Sequence, residues 1–116
     1  MFYLKSVFSI FYMLLCVATI SFGQNKDRVI SISGKVVTSQ NKPIENSSVI
    51  LYNTKDSVLI KANITNDKGD YLFESVQSGN YYISVSIAGF MPYVSKPFTI
   101  ENQSMVMPNT SLQRSE

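Results

Sequence analysis

An all-β sandwich is the fold this sequence predicts, on three observations. Residues 24–116 hold only two alanines, Ala62 and Ala88, and are rich in Val, Ile, Tyr, Phe, Ser, Thr and Asn, types that suit a pleated, half-buried surface better than a helix. Apolar residues recur at every second position in several stretches, the period of a strand with one face in a core. Clusters of turn formers separate those stretches at short intervals, which gives six or seven short strands and hence two packed sheets.

Ahead of the sandwich lies a segment of another kind. The amino terminus and Lys5 supply a positive start, residues 7–20 are uncharged and largely apolar, and Ser21-Phe22-Gly23 ends in a small residue. These are the three parts of a secretory signal peptide, with cleavage before Gln24. The apolar stretch is short against the roughly 20 residues a bilayer span needs, although an uncleaved anchor is the alternative because residues 6–24 carry no charge. The expected organisation is a helical signal peptide over 1–23, a lead-in over 24–28, a sandwich over 29–113 and a polar tail over 114–116. The leader implies export of the domain.

The strands follow in order. Ile30, Ile32 and Val36 share an alternating face, with Gly34 between them as a bulge or close-approach point. Residues 39–43, dense in turn formers and ending in Pro43, stop that strand. A second strand covers 49–53. Val58, Ile60, Ala62 and Ile64 then alternate with Leu59, Lys61, Asn63 and Thr65, which assigns the first set to the core and the second to a mostly polar face. Residues 66–70 read as a hairpin turn in which Gly69 takes positive φ, supported by Asp67 and Asp70. After Tyr71-Leu72-Phe73 comes a turn at Gly79, then Tyr81, Ile83, Val85 and Ile87 alternating with Tyr82, Ser84, Ser86 and Ala88. Gly89 bends the chain and Phe90 plugs the core under the bend. Residues 93–100 form a strand interrupted or edged by Pro97, and Leu112 belongs to a weak last strand in an otherwise polar end.

The inventory narrows the chemistry. There is no histidine, and the one cysteine, Cys16, lies in the leader. Cysteine nucleophiles, Ser-His triads and His or Cys zinc sites are therefore excluded from the exported part, and so is a disulfide framework. The formal charge is +2 with no cluster of either sign, which gives nucleic acid no footprint. Asp67 and Asp70 with Asn66 fall short of the oxygen set a calcium loop needs. Together with Glu74 they sit on a turn where burial cannot tune them for glycoside hydrolysis. No catalytic residue, metal ligand or cofactor is assigned. Tyr52, Tyr82 and Tyr93 are the rings available for an outer ligand surface, the basis of an alternative reading as a stand-alone carbohydrate-binding module, while Tyr71, Phe73 and Tyr81 belong in the core. Asn-x-Ser/Thr triplets at Asn46, Asn63, Asn102 and Asn109 are expected by chance in so Asn-, Ser- and Thr-rich a chain. Asp56-Ser57-Val58 has the form of an Asp-Ser/Thr-aliphatic O-glycosylation signal, with strand initiation as its simpler role.

The order of short motifs resembles a known family. Residues 32–37 (Ile-Ser-Gly-Lys-Val-Val), 43–51 (Pro-Ile-Glu-Asn-Ser-Ser-Val-Ile-Leu), Asp56-Ser57, residues 65–73 (Thr-Asn-Asp-Lys-Gly-Asp-Tyr-Leu-Phe), Gly79-Asn80-Tyr81-Tyr82 and Ala88-Gly89-Phe90 are similar to the carboxypeptidase-regulatory-like domain over residues 29–113. The resemblance implies a seven-stranded, Greek-key, transthyretin-like sandwich without zinc ligands or catalysis. It also implies a setting, since such domains follow a signal peptide and precede the plug and barrel of TonB-dependent receptors and related outer-membrane β-barrel proteins. No plug or barrel strands follow Leu112, so transport is not assigned to these residues. The expectation is a non-catalytic accessory domain, working alone or as the remnant or fragment of such a receptor, whose partner is an outer-membrane or periplasmic protein.

Overall fold

A computed structural model describes residues 29–115; the expected signal peptide over 1–23 and the lead-in over 24–28 lie outside them. Every regular element described is a strand: β1 (Ile32–Thr38), β2 (Ser48–Asn53), β3 (Leu59–Ile64), β4 (Asp70–Phe73), β5 (Gly79–Ser86), β6 (Tyr93–Val94), β7 (Phe98–Ile100), β8 (Met105–Val106) and β9 (Thr110–Leu112). One sheet runs β4-β1-β8, with β9 also on β1; the other runs β3-β2-β5-β6, with β7 also on β5. The nine segments therefore follow seven strand paths, because β6 with β7 and β8 with β9 each continue along one neighbour.

Both interruptions have a chemical cause. Between β6 and β7 stands Pro97, which has no N–H to give a ladder. There the Ser95 N–H donates to Ile83 O (2.9 Å) and the Ser95 hydroxyl accepts from Ile83 N–H (2.9 Å), so a side-chain oxygen takes the place of a backbone carbonyl as acceptor where the ladder breaks. Between β8 and β9 stands Pro108. The two segments pair parallel with β1, Ile32 opposite Met105 and Val36 opposite Thr110, so one extra residue is taken up around that proline.

The core lies between the sheets. Ile32 and Val36 of β1, Val49 and Leu51 of β2, Tyr71 and Phe73 of β4, Tyr81, Ile83 and Val85 of β5, Ile100 of β7 and Leu112 of β9 are all buried, joined by Ile30, Ile44 and Val76 from the loops. The alternation read for β1, β4 and β5 matches these faces. That of β3 is reversed. Asn63 stands opposite Val49 and Lys61 opposite Leu51, and directly opposed residues share a face, so Lys61 and Asn63 look inward while Ile60, Ala62 and Ile64 look out. Thr65 shows why: it is 2% exposed and its hydroxyl donates to Ile44 O (2.7 Å) while accepting from Ser47 N–H (2.9 Å). Since that leaves Thr65 Oγ1 no second proton, the 2.9 Å contact to Ser47 Oγ has serine as donor. An edge strand can turn a polar face inward when that face is hydrogen-bonded.

The turn after β3 is also not a hairpin. β3 and β4 belong to different sheets, so residues 66–69 arch from one to the other. Gly69 takes φ 77° there, and a Cβ on it would stand 2.5 Å from Val36 O, so both backbone conformation and close approach require glycine. Asn66 Oδ1 accepts from the N–H groups of Lys68 (3.0 Å) and Asp70 (2.9 Å), holding the arch.

Candidate functional site

The acidic residues of the arch form no cation site. Asp67 is exposed, Asp70 turns to Lys35 of β1 at 3.9 Å, and Asn66 Oδ1 is occupied by backbone donors. Among the described residues no three His, Cys, Asp or Glu side chains gather. Of the other turn residues, Pro43 bridges to Val37, Gly79 opens β5 with the Tyr81 ring against it, and Gly89 takes φ 89° in open space. Phe90 is half-buried against the core with the Arg114 guanidinium 5.9 Å from its ring centre.

The three tyrosines proposed as a ligand surface do not share one. Tyr52 and Tyr82 are cross-strand partners whose rings stack at 5.1 Å and 16°, so each covers a face of the other that a sugar ring would need. Tyr93 stands opposite Val85, which is fully buried, and therefore projects to the inner side of the same sheet at its edge. It lies near Tyr71 instead. Of the Asn-x-Ser/Thr triplets, Asn63 is committed, since its Nδ2 donates to Leu72 O (2.7 Å), and its Thr65 is buried. Ser57 sits exposed at the β2–β3 turn with φ 55°, while Asp56 Oδ1 accepts from Val58 N–H (3.2 Å).

Gly34 and Tyr71 pack closely in the interior. They are opposite each other on β1 and β4, and a Cβ on Gly34 would come within 2.3 Å of the Tyr71 Oη. The ring fills the space that the missing side chain leaves. Its hydroxyl is buried with no hydrogen-bond partner among the described residues. Burial, and secondarily the negative charge Tyr93 acquires on ionising, push its pKa up to about 12. Tyr81 differs: its hydroxyl donates to Gln77 O (2.7 Å), and burial raises its pKa.

The concave features are open and of mixed polarity. A depression of about 650 Å³ lies against the β4-β1-β8 sheet and the end of β3, lined by Ser33, Lys35, Asp70, Leu72 and Val106 with Asn63 and Ile64. It holds one exposed ion pair, Lys35 with Asp70. The surface feature with most chemical content is apolar. On the other sheet, Val58 just before β3 and Leu59, Ile60 and Ile64 along it are 51, 52, 40 and 63% exposed, and Tyr93 and Val94 of β6 are 39 and 62% exposed. These are the two edges of one sheet. The sequence displayed the aliphatic run at 58–64, but its period pointed to the core; only the inward polar face of β3 identifies it as surface.

Comparison with known proteins places this architecture. The sequence profile of the carboxypeptidase regulatory-like domain matches residues 31–113. No curated protein sequence matches the chain. Among solved structures, the Bacillus anthracis TIE protein superposes with a TM-score of 0.63 at 16% identity, covering 76% of this chain and 18% of that one. A Klebsiella pneumoniae 5-hydroxyisourate hydrolase gives 0.56 at 16%, covering 75% and 94%. A streptococcal ancillary pilin gives 0.59 at 11%, covering 78% and 34%. At these identities the likeness is one of fold. The chain spans under a fifth of the TIE protein and about a third of the pilin.

Proposed function

Because this chain belongs to the carboxypeptidase regulatory-like domain family, we propose that it is a non-catalytic accessory module of a bacterial envelope, exported to the periplasm or outer membrane and working by protein contact or positioning. The finer reading is the N-terminal periplasmic domain of a TonB-dependent or related outer-membrane β-barrel receptor. The leader in residues 1–23 supports export, and the match of fold to parts of the longer TIE protein and ancillary pilin supports a modular role.

One observation carries the contact reading. The large side chains exposed on the β3-β2-β5 sheet concentrate on its two edges, β3 and β6, where unpaired backbone groups and apolar side chains together suit the addition of a partner strand. The test places a photo-crosslinking side chain at Val94, and at exposed Gln40 as control, in source cells that are then fractionated. The expected result is a discrete adduct with an envelope protein at Val94 and none at Gln40. Equal labelling at both positions, or a cytoplasmic chain, overturns the reading.

A further inference from the structure

The β3 edge is matched to a second copy of itself, and we propose that two chains pair there antiparallel, β3 to β3, with Ala62 on the two-fold axis. This deepens the contact reading and rests on it: it names the partner at one of the two edges and leaves the β6 edge for another protein.

The backbone determines which groups are free. Thr65 N–H donates to Ser47 O and Thr65 O accepts from Asn46 N–H, both at 3.0 Å, so both backbone groups of Thr65 face β2. Successive residues of a strand turn these groups to opposite sides. Asn63 therefore faces β2 as well, and Ile64 and Ala62 present their N–H and C=O to the open side. Among the described residues β3 has no other neighbour in its sheet.

The side chains then select the register. In an antiparallel pair the residues that exchange hydrogen bonds must both face the seam, so only registers two residues apart are open. Setting Ala62 opposite Ala62 of the second copy brings Ile60 against its Ile64 on one face. On the other face Lys61 meets an Asn63, whose Nδ2 is held by Leu72 O in its own chain and whose Oδ1 is a fitting acceptor for an ammonium group. The next register in one direction opposes Lys61 to Lys61, two like charges directly across the seam, which destabilises a pair. The next in the other direction sets Ile60 against Asn66, beyond the strand. The favoured register alone joins apolar to apolar and cation to carbonyl. Ile60 is the residue the bulge between Lys61 and Leu59 leaves over, so the strand bends beyond Ile60 and the pairing ends there.

Cysteine cross-linking of the full chain tests this, in a Cys16→Ser background so that the engineered thiol is the only one. Paired residues that exchange hydrogen bonds lie about 5.5 Å apart at Cα, inside the range of roughly 4.4–6.8 Å that a disulfide spans. Ala62→Cys is expected to give a disulfide dimer on air oxidation. Its rate should exceed that of Val106→Cys, exposed on the other sheet, on the order of tenfold, because association raises the local thiol concentration. A mixture of Ile60→Cys and Ile64→Cys chains should cross-link, and neither alone. Ala62→Lys should abolish concentration-dependent sedimentation while keeping the circular dichroism spectrum. Cross-linking of Ala62→Cys no faster than Val106→Cys overturns the pairing. If the Val94 adduct persists in that case, the contact reading stands without it; loss of both removes both.

Discussion

At the scale of single residues, Gly34 and Tyr71 carry a consequence measurable in solution. The sequence marked Gly34 as a close-approach point and Tyr71 as core, but that the ring of one covers the other follows from pairing across 37 positions, and no local pattern encodes it. The buried phenol is held neutral: its pKa of about 12 stands above the ordinary value of 10.0. A raised folded-state pKa means that the contribution to stability is fully present below about pH 10 and is lost as pH rises through about 12, since the unfolded chain releases the proton first. The slope in that window is about 1.4 kcal/mol per pH unit. Tyr71→Phe removes the titration and also an unpaired buried hydroxyl, whose desolvation costs roughly 1–3 kcal/mol. Urea unfolding from pH 9 to 11.5 should therefore show the difference between the two proteins changing steadily in favour of the variant above pH 10. A constant difference would mean that the Tyr71 hydroxyl is not buried as described.

At the scale of elements, β3 separates what alternation can tell from what it cannot. A period of two divides a strand into two faces and is silent on which one meets the core; hydrophobicity normally decides, and for β1, β4 and β5 it does. In β3 it points the wrong way, because the deciding interactions join Thr65 to Ser47 and Ile44, 18 and 21 residues away. The expected energetics follow the structure. Thr65→Val keeps the shape but leaves Ser47 N–H and Ile44 O without their partner, a loss of about 1–3 kcal/mol. Ile64→Thr, on the outer face, should stay within ~0.5 kcal/mol. Urea midpoints at constant m-value read both, and a larger loss for Ile64→Thr would restore the inward face that the apolar pattern suggests.

For the whole molecule, fold class, the interruption at Pro97 and the family were legible because each rests on local composition or spaced motifs. The closing of the sandwich was not. Residues 104–113 read as a mostly polar end with one weak strand at Leu112, yet β8 and β9 run parallel to β1, from more than 70 residues away, and complete the smaller sheet. They bring Thr110 and Leu112 into the core at 5 and 2% exposure, with Met105 and Met107 packed against it. Without them that sheet keeps only β4 and β1, too narrow a layer to cover the opposing one. Burial of one Leu side chain contributes roughly 1.5–3 kcal/mol, and two methionines and a five-residue ladder are lost with it. A domain of this size has only about 0.05–0.15 kcal/mol of stability per residue in total. Ending the chain at Gln103 should therefore abolish cooperative thermal unfolding and amide dispersion in the NMR spectrum. Leu112→Ala, which leaves the ladder intact, should keep a cooperative transition at a midpoint lower by roughly ten degrees or more, on a cost of about 2–5 kcal/mol. Cooperative melting of the truncated chain close to that of the full one would mean that the first and last strands do not close the fold together.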